Sequence, residues 1–88
     1  MKISKTVKDQ INAISQETRL IIMLLLSKKA MYVSELKKAI KIEPTLLSHH
    51  LDILRKAKMI KKERHGKKVF CTKIPHYLPK ELIQVFSR

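Results

Sequence analysis

The 88-residue chain is long enough for one domain and too short for two, and its single cysteine, Cys71, excludes an internal disulfide. Twenty Lys and Arg residues stand against seven Asp and Glu, so the formal net charge is +13. That charge favours a polyanionic partner, with nucleic acid first and an anionic membrane surface second. The longest apolar run, residues 20–26, is far shorter than the roughly 20 residues that a membrane span needs, and the polar start carries no secretory signal. We therefore expect a cytoplasmic protein.

The first predicted element is a helix over residues 3–14 with a narrow apolar stripe. Apolar residues recur there at spacings of four, four and three, with polar residues between them: Ile3, Val7, Ile11 and Ile14. Ser15 is then expected to cap a second helix, Gln16 to Ser27. This second helix is apolar on nearly every side, so we expect it to lie in the centre of the domain.

Two shorter helices are predicted after a connector over residues 28–32. Ser34 is expected to cap a third helix, Glu35 to Lys41. Proline is favoured at the first position of a helix, so a fourth helix is predicted to begin at Pro44 and to end near Ala57. Its inward positions follow a helical spacing: Leu47, Leu51 and Leu54.

The pattern then changes to that of a β-hairpin, which we call the wing. Met59 to His65 and Lys68 to Ile74 are rich in residues that favour strands and meet at Gly66, the only glycine. The alternation leaves open which face of the second strand points inward. Residues 78–87 can form one last helix. The predicted fold is therefore mainly α with a small β-hairpin, a winged helix-turn-helix of order α-α-α-α-β-β-α, and residues 1–88 form a single DNA-binding domain.

This order places a polar helix face and a basic hairpin where they can bind DNA. A helix fits the major groove of B-DNA, and a hairpin can reach along the duplex to its phosphates. The candidate DNA-binding residues of the recognition helix are Thr45, Leu46, Ser48, His49, Asp52 and Lys56. The candidates for the wing and for backbone contacts are Arg55, Lys61, Lys62, Arg64, Lys67 and Lys68. His50 is expected to pack near Leu47 and Leu54.

Four short motifs resemble the ArsR/SmtB-type winged-helix repressors, in the order and spacing of that family. The resemblance covers roughly residues 7 to 74 and is carried by Glu17–Leu20, Ser48–Leu51, Leu54–Ala57 and Gly66–Phe70. It implies a homodimer that binds an inverted-repeat operator in double-stranded DNA. It also implies a dimer interface built from the first and last helices, here Ile3, Val7, Ile11, Ile14, Leu78, Leu82, Ile83, Val85 and Phe86.

The chain departs from the family at the positions that relatives use for sensing and for helix ends. Tyr32 and Ser34 stand where many relatives have a Cys-x-Cys metal site, and the last helix offers only His76 and Glu81. We therefore expect no metal, no other cofactor and no metal sensing. Glu43 and Pro44 replace polar residues at the start of the recognition helix, and Lys58 replaces the usual glycine after it. If the backbone at Lys58 is left-handed, lysine costs roughly 1 kcal/mol relative to glycine.

Several alternatives remain open from the sequence. A non-specific architectural protein that coats or bends DNA would need only the +13 charge. A membrane-surface or protein-partner module would use the exposed apolar stripe. Cys71 is expected to be a buried small hydrophobe, with a redox switch as the sharper alternative. Catalysis has little support, because no carboxylate pair, phosphate loop or nucleophile–base arrangement is present.

Overall fold

The computed structural model describes residues 3–74. The predicted order of four helices followed by a hairpin is confirmed over these residues, and the last predicted helix, 78–87, lies outside them. The elements are α1 Lys5–Ile14, α2 Glu17–Lys28, β1 Met31–Tyr32, α3 Val33–Ile40, α4 Pro44–Lys56, β2 Ile60–His65 and β3 Lys68–Lys73. No helix among residues 3–74 is long and apolar enough to cross a membrane.

The boundary between α1 and α2 differs from the prediction by one residue. Ser15 ends α1, where its Oγ donates to the carbonyl of Asn12 at 2.7 Å. Gln16 caps α2 instead, because its Oε1 accepts from the backbone N–H of Arg19 at 2.9 Å. The prediction of Ser15 as the N-cap was therefore wrong. Both side chains can satisfy free groups at a helix end, and the sequence did not distinguish which end each one serves.

The predicted connector contains a short strand that the sequence analysis missed. Met31 and Tyr32 form β1, which pairs antiparallel with Cys71 and Phe70 of β3, so the sheet has three strands in the order β1-β3-β2. The helix α3 then begins at Val33 rather than Glu35. The N-cap residue is Tyr32, so the prediction of Ser34 as the N-cap was wrong. Glu35, at the third position of the helix, accepts at Oε1 from the backbone N–H of Tyr32 at 2.9 Å.

The hairpin forms at the predicted turn. His65 pairs with Lys68, which leaves Gly66 and Lys67 as a two-residue loop. Gly66 has φ +66°, whereas φ at Lys67 is not positive. A positive φ at the first loop residue alone is the pattern of a type II′ turn, which matches the twist of the paired strands. The inward face of β3 is the one that carries Cys71, which is fully buried.

The core lies between the helices and the inner face of the sheet. The predicted inward positions of α4 are confirmed, since Leu47, Leu51 and Leu54 are all buried. The expectation that α2 lies in the centre of the domain was wrong for one of its sides. Ile22, Met23 and Leu26 face the core, whereas an opposite apolar face is exposed in the described structure: Leu20, Ile21 and Leu24. When a helix is apolar on all sides, its sequence does not show which side faces the core.

A Schellman motif joins α4 to the wing. The backbone N–H of Met59 donates to the carbonyl of Leu54, and that of Lys58 donates to the carbonyl of Arg55, both at 3.0 Å. This hydrogen-bond pair requires a left-handed residue after the helix cap, and Lys58 has φ +62°. Leu54 and Met59, on either side of the turn, are both buried. The lysine therefore holds a conformation that favours glycine, because the core anchors the chain on both sides of it.

Candidate nucleic-acid interface

The outer face of α4 is exposed and carries small polar side chains. Thr45, Ser48 and His49 are all exposed, on the side of the helix away from the buried leucines. Leu46 is 45% exposed. An exposed leucine beside a hydroxyl and an imidazole can contact a thymine methyl while its neighbours bond to base edges. These four side chains make up a face that can read a major groove.

The start of α4 is held by the backbone rather than by a side-chain cap. Glu43 is the N-cap residue and makes no side-chain capping bond, and Pro44 occupies the first turn. Proline has no N–H to satisfy there, so the first turn loses one of its unpaired donors. The Glu43 carboxylate remains favourable toward the positive end of the helix dipole.

Four of the predicted wing cations are free of ion pairs among the described residues. Lys61 and Arg64 of β2, Lys67 of the turn and Lys68 of β3 are exposed. The ion pairs found between residues 3 and 74 involve Arg55, Lys62 and His65 instead. The four cations can therefore neutralise phosphates without first breaking an internal ion pair.

Asp52 and Lys62 pair with each other. Lys62 Nζ lies 3.0 Å from Asp52 Oδ1, and Arg55 Nε lies 3.8 Å from the same oxygen. The hydrogen bond and charge of Lys62 lower the pKa of the Asp52 carboxyl. This bridge links the recognition helix to the first strand of the wing. Both residues were predicted to contact DNA, and the geometry gives them a second use in holding the two DNA-facing elements together.

A groove of about 340 Å³ runs between α3, the start of α4 and the wing. Its floor includes Val33, Leu47 and Val69, and its polar rim is formed by Ser34, Lys37, Ser48, Lys62, Lys67 and Lys68. The sequence analysis missed Ser34 and Lys37 as candidates. Their spacing of three residues places them on one face of α3, but only the position of the wing shows that this face lines the groove.

Aromatic side chains brace the outer face of the sheet. The ring centroids of Tyr32 and Phe70 are 4.9 Å apart, and those of His65 and Phe70 are 5.3 Å apart. The Tyr32 hydroxyl lies 3.3 Å from His65 Nδ1, and Lys68 Nζ lies 5.5 Å from the Tyr32 ring centroid. The wing is therefore fixed to β1 as well as to α4.

His50 lies on the buried side of α4 and contacts Arg19. It is 5% exposed, as expected for a residue near Leu47 and Leu54, and its Nδ1 lies 3.2 Å from Arg19 Nη1. Burial first, and then the charges of Arg19 and His49, lower the pKa of His50. Arg19 lies in the motif Glu17–Leu20, where no local pattern indicates its contact with His50.

The predicted dimer stripe of α1 is partly uncovered. Ile3 is 47% exposed, Val7 and Ile11 are half-buried, and Ile14 packs against the core. The face of α1 that is buried in the domain carries Gln10 and Ala13 instead. The other predicted interface residues, Leu78, Leu82, Ile83, Val85 and Phe86, lie outside the described residues.

No group of three or more His, Cys, Asp or Glu side chains that could hold a metal lies within residues 3–74. His76 and Glu81 fall beyond that range. Cys71 is buried, and burial raises the pKa of its thiol. A buried thiol with a raised pKa is a poor nucleophile, which agrees with the expectation of a small hydrophobe in the core.

Comparison with known proteins agrees with this geometry. Residues 16–62, just over half of the chain, match the family model described as "Bacterial regulatory protein, arsR family". No match was found among curated proteins. The chain is similar in structure to HlyU from Vibrio cholerae N16961, with 24% identity and a TM-score of 0.80 over 98% of this chain and 96% of that one.

Two further solved structures have the same fold. One is the transcriptional repressor BigR from Xylella fastidiosa, with 23% identity and a TM-score of 0.74 over 92% of this chain and 79% of that one. The other is HlyU from Vibrio vulnificus CMCP6, with 25% identity and a TM-score of 0.72 over 90% of this chain and 81% of that one. The predicted winged helix-turn-helix fold is thereby confirmed, with the third strand β1 added to it.

Proposed function

Because this chain belongs to the arsR family of bacterial regulatory proteins, and is thus a DNA-binding transcription regulator, we propose that it is a sequence-specific repressor that binds an inverted-repeat operator as a homodimer. The observation that carries the proposal is the outer face of α4. Thr45, Leu46, Ser48 and His49 are exposed together on a helix whose opposite side is anchored in the core. A rigid helix with a mixed polar and apolar face suits readout of base edges.

The wing and the groove supply the phosphate contacts in this proposal. Lys61, Arg64, Lys67 and Lys68 contact phosphates along the wing, and Arg55 and Lys56 contact phosphates near the end of α4. Ser34 and Lys37 of α3 add contacts from the opposite rim of the groove. The Asp52–Lys62 bridge holds the wing at a fixed distance from α4, so that base readout and phosphate contacts occur in one register.

Dimerisation is supported by apolar side chains without a partner among the described residues. These are Ile3 of α1 and the exposed face of α2, which consists of Leu20, Ile21 and Leu24. We assign them, with Val7 and Ile11, to an interface that the segment 78–87 completes through Leu78, Leu82, Ile83 and Phe86. Burial of such side chains contributes roughly 25 cal/mol per Å² of apolar surface, which a domain of this size needs.

We propose that the repressor acts without a metal and has no enzymatic activity. Tyr32 and Ser34 occupy the positions of the Cys-x-Cys site, and Tyr32 is already engaged with Phe70 and His65. A phenol and a hydroxyl are poor substitutes for two thiolates toward Zn²⁺. A repressor of this kind works in the cytoplasm, bound to double-stranded DNA.

Alanine substitution separates specific from non-specific binding. An operator is first obtained by selection from random duplex DNA, and Ser48→Ala/His49→Ala is compared with Lys61→Gln/Lys68→Gln. The first pair should lose affinity for the operator and keep its affinity for scrambled DNA. The second pair should weaken binding to both and reduce the salt slope by roughly 0.9 per lost phosphate contact. Equal loss on both DNAs for the first pair would favour the architectural alternative, which rests on the +13 charge.

A second experiment tests the dimer. Ile11→Asp places a charge in the proposed interface, and Asn12→Asp places the same charge on the exposed neighbouring position of α1. Sedimentation at micromolar concentration should show a dimer for the parent and for Asn12→Asp, and a monomer for Ile11→Asp. A monomeric parent, or a dimer that Ile11→Asp does not disturb, would contradict this interface.

A further inference from the structure

A contact network separate from the Asp52–Lys62 bridge joins three helices through one side chain. Arg19 of α2 donates from Nε to the carbonyl of Ala13, at the end of α1, at 2.7 Å. Its Nη1 lies 3.2 Å from Nδ1 of His50 in the middle of α4. Ala13 and His50 are both buried, with exposures of 1% and 5%. Arg19 therefore holds α1 and the recognition helix at the same time.

The chemistry of this contact fixes the protonation state of His50. A guanidinium has no acceptor, so it is the donor and Nδ1 must accept. The imidazole is then neutral, with its proton on Nε2. Burial and the charges of Arg19 and His49 act in the same direction, because they hold the pKa of His50 below its ordinary value of 6.5. The contact is therefore intact at neutral pH.

We propose that Arg19 is a positioning residue that sets the distance between the two recognition helices of the dimer. The inference rests on the proposed function, in which α1 belongs to the dimer interface and α4 reads DNA. A side chain that fixes α4 relative to α1 within one protomer also fixes α4 relative to its copy in the other. Rigid positioning of this kind makes binding sensitive to the spacing of the two half-sites.

Operators with altered spacing test this proposal directly. One inserted or deleted base pair moves a half-site by about 3.4 Å and rotates it by about 35°, since one turn holds about 10 base pairs. The parent should lose about tenfold in affinity, or about 1.4 kcal/mol. Arg19→Met should bind the altered and unaltered operators within about threefold of each other. Lys28→Met, an exposed substitution near the end of the same helix, should behave like the parent.

Two substitutions distinguish positioning from a general effect on folding. Arg19→Lys keeps the charge but has no planar fork that reaches two acceptors, so it should also lose discrimination between spacings. His50→Asn keeps an acceptor at the place of Nδ1, so it should retain discrimination. Urea unfolding of each variant shows whether it is folded under the binding conditions. A folded Arg19→Met that keeps the tenfold penalty overturns the proposal. A parent that selects no preferred sequence overturns the proposed function instead.

The pH dependence gives a readout on the unaltered protein. Because the pKa of His50 is lowered, the contact is present above the ordinary histidine pKa and is lost as the pH falls through the lower folded value. Besides Arg19 and His49, Asp9 of α1 and Lys56 of α4 line the crevice beside this network. The ratio of affinities for two spacings cancels any change in DNA affinity that is common to both operators.

That ratio should fall toward one in acid for the parent and for the exposed control Lys28→Met. It should stay constant for His50→Asn, because the amide does not titrate. If His50→Asn loses discrimination in acid as the parent does, His50 is not the titrating contact, and this route of positioning is wrong.

Discussion

The clearest test of the backbone between the recognition helix and the wing is Lys58→Gly. Lys58 has φ +62° because the Schellman motif requires a left-handed residue there. That conformation costs an L-residue roughly 1–2 kcal/mol, and glycine, which adopts it freely, carries an unfolded-state entropy cost of roughly 0.5–1 kcal/mol. For the backbone alone, the expected gain in the free energy of unfolding is about 0.5–1 kcal/mol.

Loss of the lysine charge at the end of the helix opposes this gain by about 0.3–1 kcal/mol. Lys58→Ala removes the same charge but keeps the left-handed strain, so the comparison of glycine with alanine isolates the backbone term. The free energy of unfolding of Lys58→Gly should exceed that of Lys58→Ala by about 1 kcal/mol. This difference corresponds to roughly 4–8 °C in Tm for a domain of this size.

Urea unfolding followed by circular dichroism measures these differences, at one protein concentration because dimerisation couples to stability. The matched control is Lys56, the last residue of α4. There the order should reverse, with Lys56→Gly less stable than Lys56→Ala by up to about 1 kcal/mol. If Lys58→Gly is no more stable than Lys58→Ala, the left-handed turn and the motif that explains it are both refuted.

Three further predictions follow from buried and paired side chains. In a double-mutant cycle, Asp52→Asn and Lys62→Gln should show a coupling of about 0.2–1 kcal/mol in the free energy of unfolding. Because the pKa of Asp52 is lowered from its ordinary value of 3.8, this coupling should be present above pH 3.8 and disappear as the pH falls through the lower pKa of the folded state. Additive effects of the two substitutions at neutral pH would exclude the bridge. Leu47 is buried, so Leu47→Ala should lower the free energy of unfolding by about 2–5 kcal/mol. Leu46 is exposed, so Leu46→Ala should change it by less than about 0.5 kcal/mol and weaken operator binding. Equal losses of stability would be inconsistent with the orientation of α4. Cys71 should react with a thiol reagent only as fast as the protein unfolds, and rapid reaction in native buffer would show that the thiol is accessible.

The fold was predictable where local signals are strong. Pro44 marks the start of α4, the leucine spacing gives its buried side, and Gly66 gives the wing turn. Each of these signals depends on residues close together in the chain. The exposed face of the recognition helix followed from the same spacing, so Thr45, Leu46, Ser48 and His49 could be named before the structure was known.

The remaining features depend on contacts between distant segments. β1 has only two residues, and its pairing with Cys71 and Phe70 leaves no local pattern. The exposed side of α2 could not be predicted, because all sides of that helix are apolar. The Asp52–Lys62 bridge and the Arg19–His50 contact join residues 10 and 31 positions apart. Such pairs become visible only when the helices and the sheet are placed together.

The most direct measurement of the central claim is selection of bound sequences from a pool of random duplex DNA. The proposed repressor should enrich one inverted repeat, with half-sites about 34–36 Å apart, and Ser48→Ala/His49→Ala should abolish that enrichment while the protein still binds DNA. A pool that remains random after selection, bound with an affinity that depends on salt alone, would contradict sequence-specific recognition by α4.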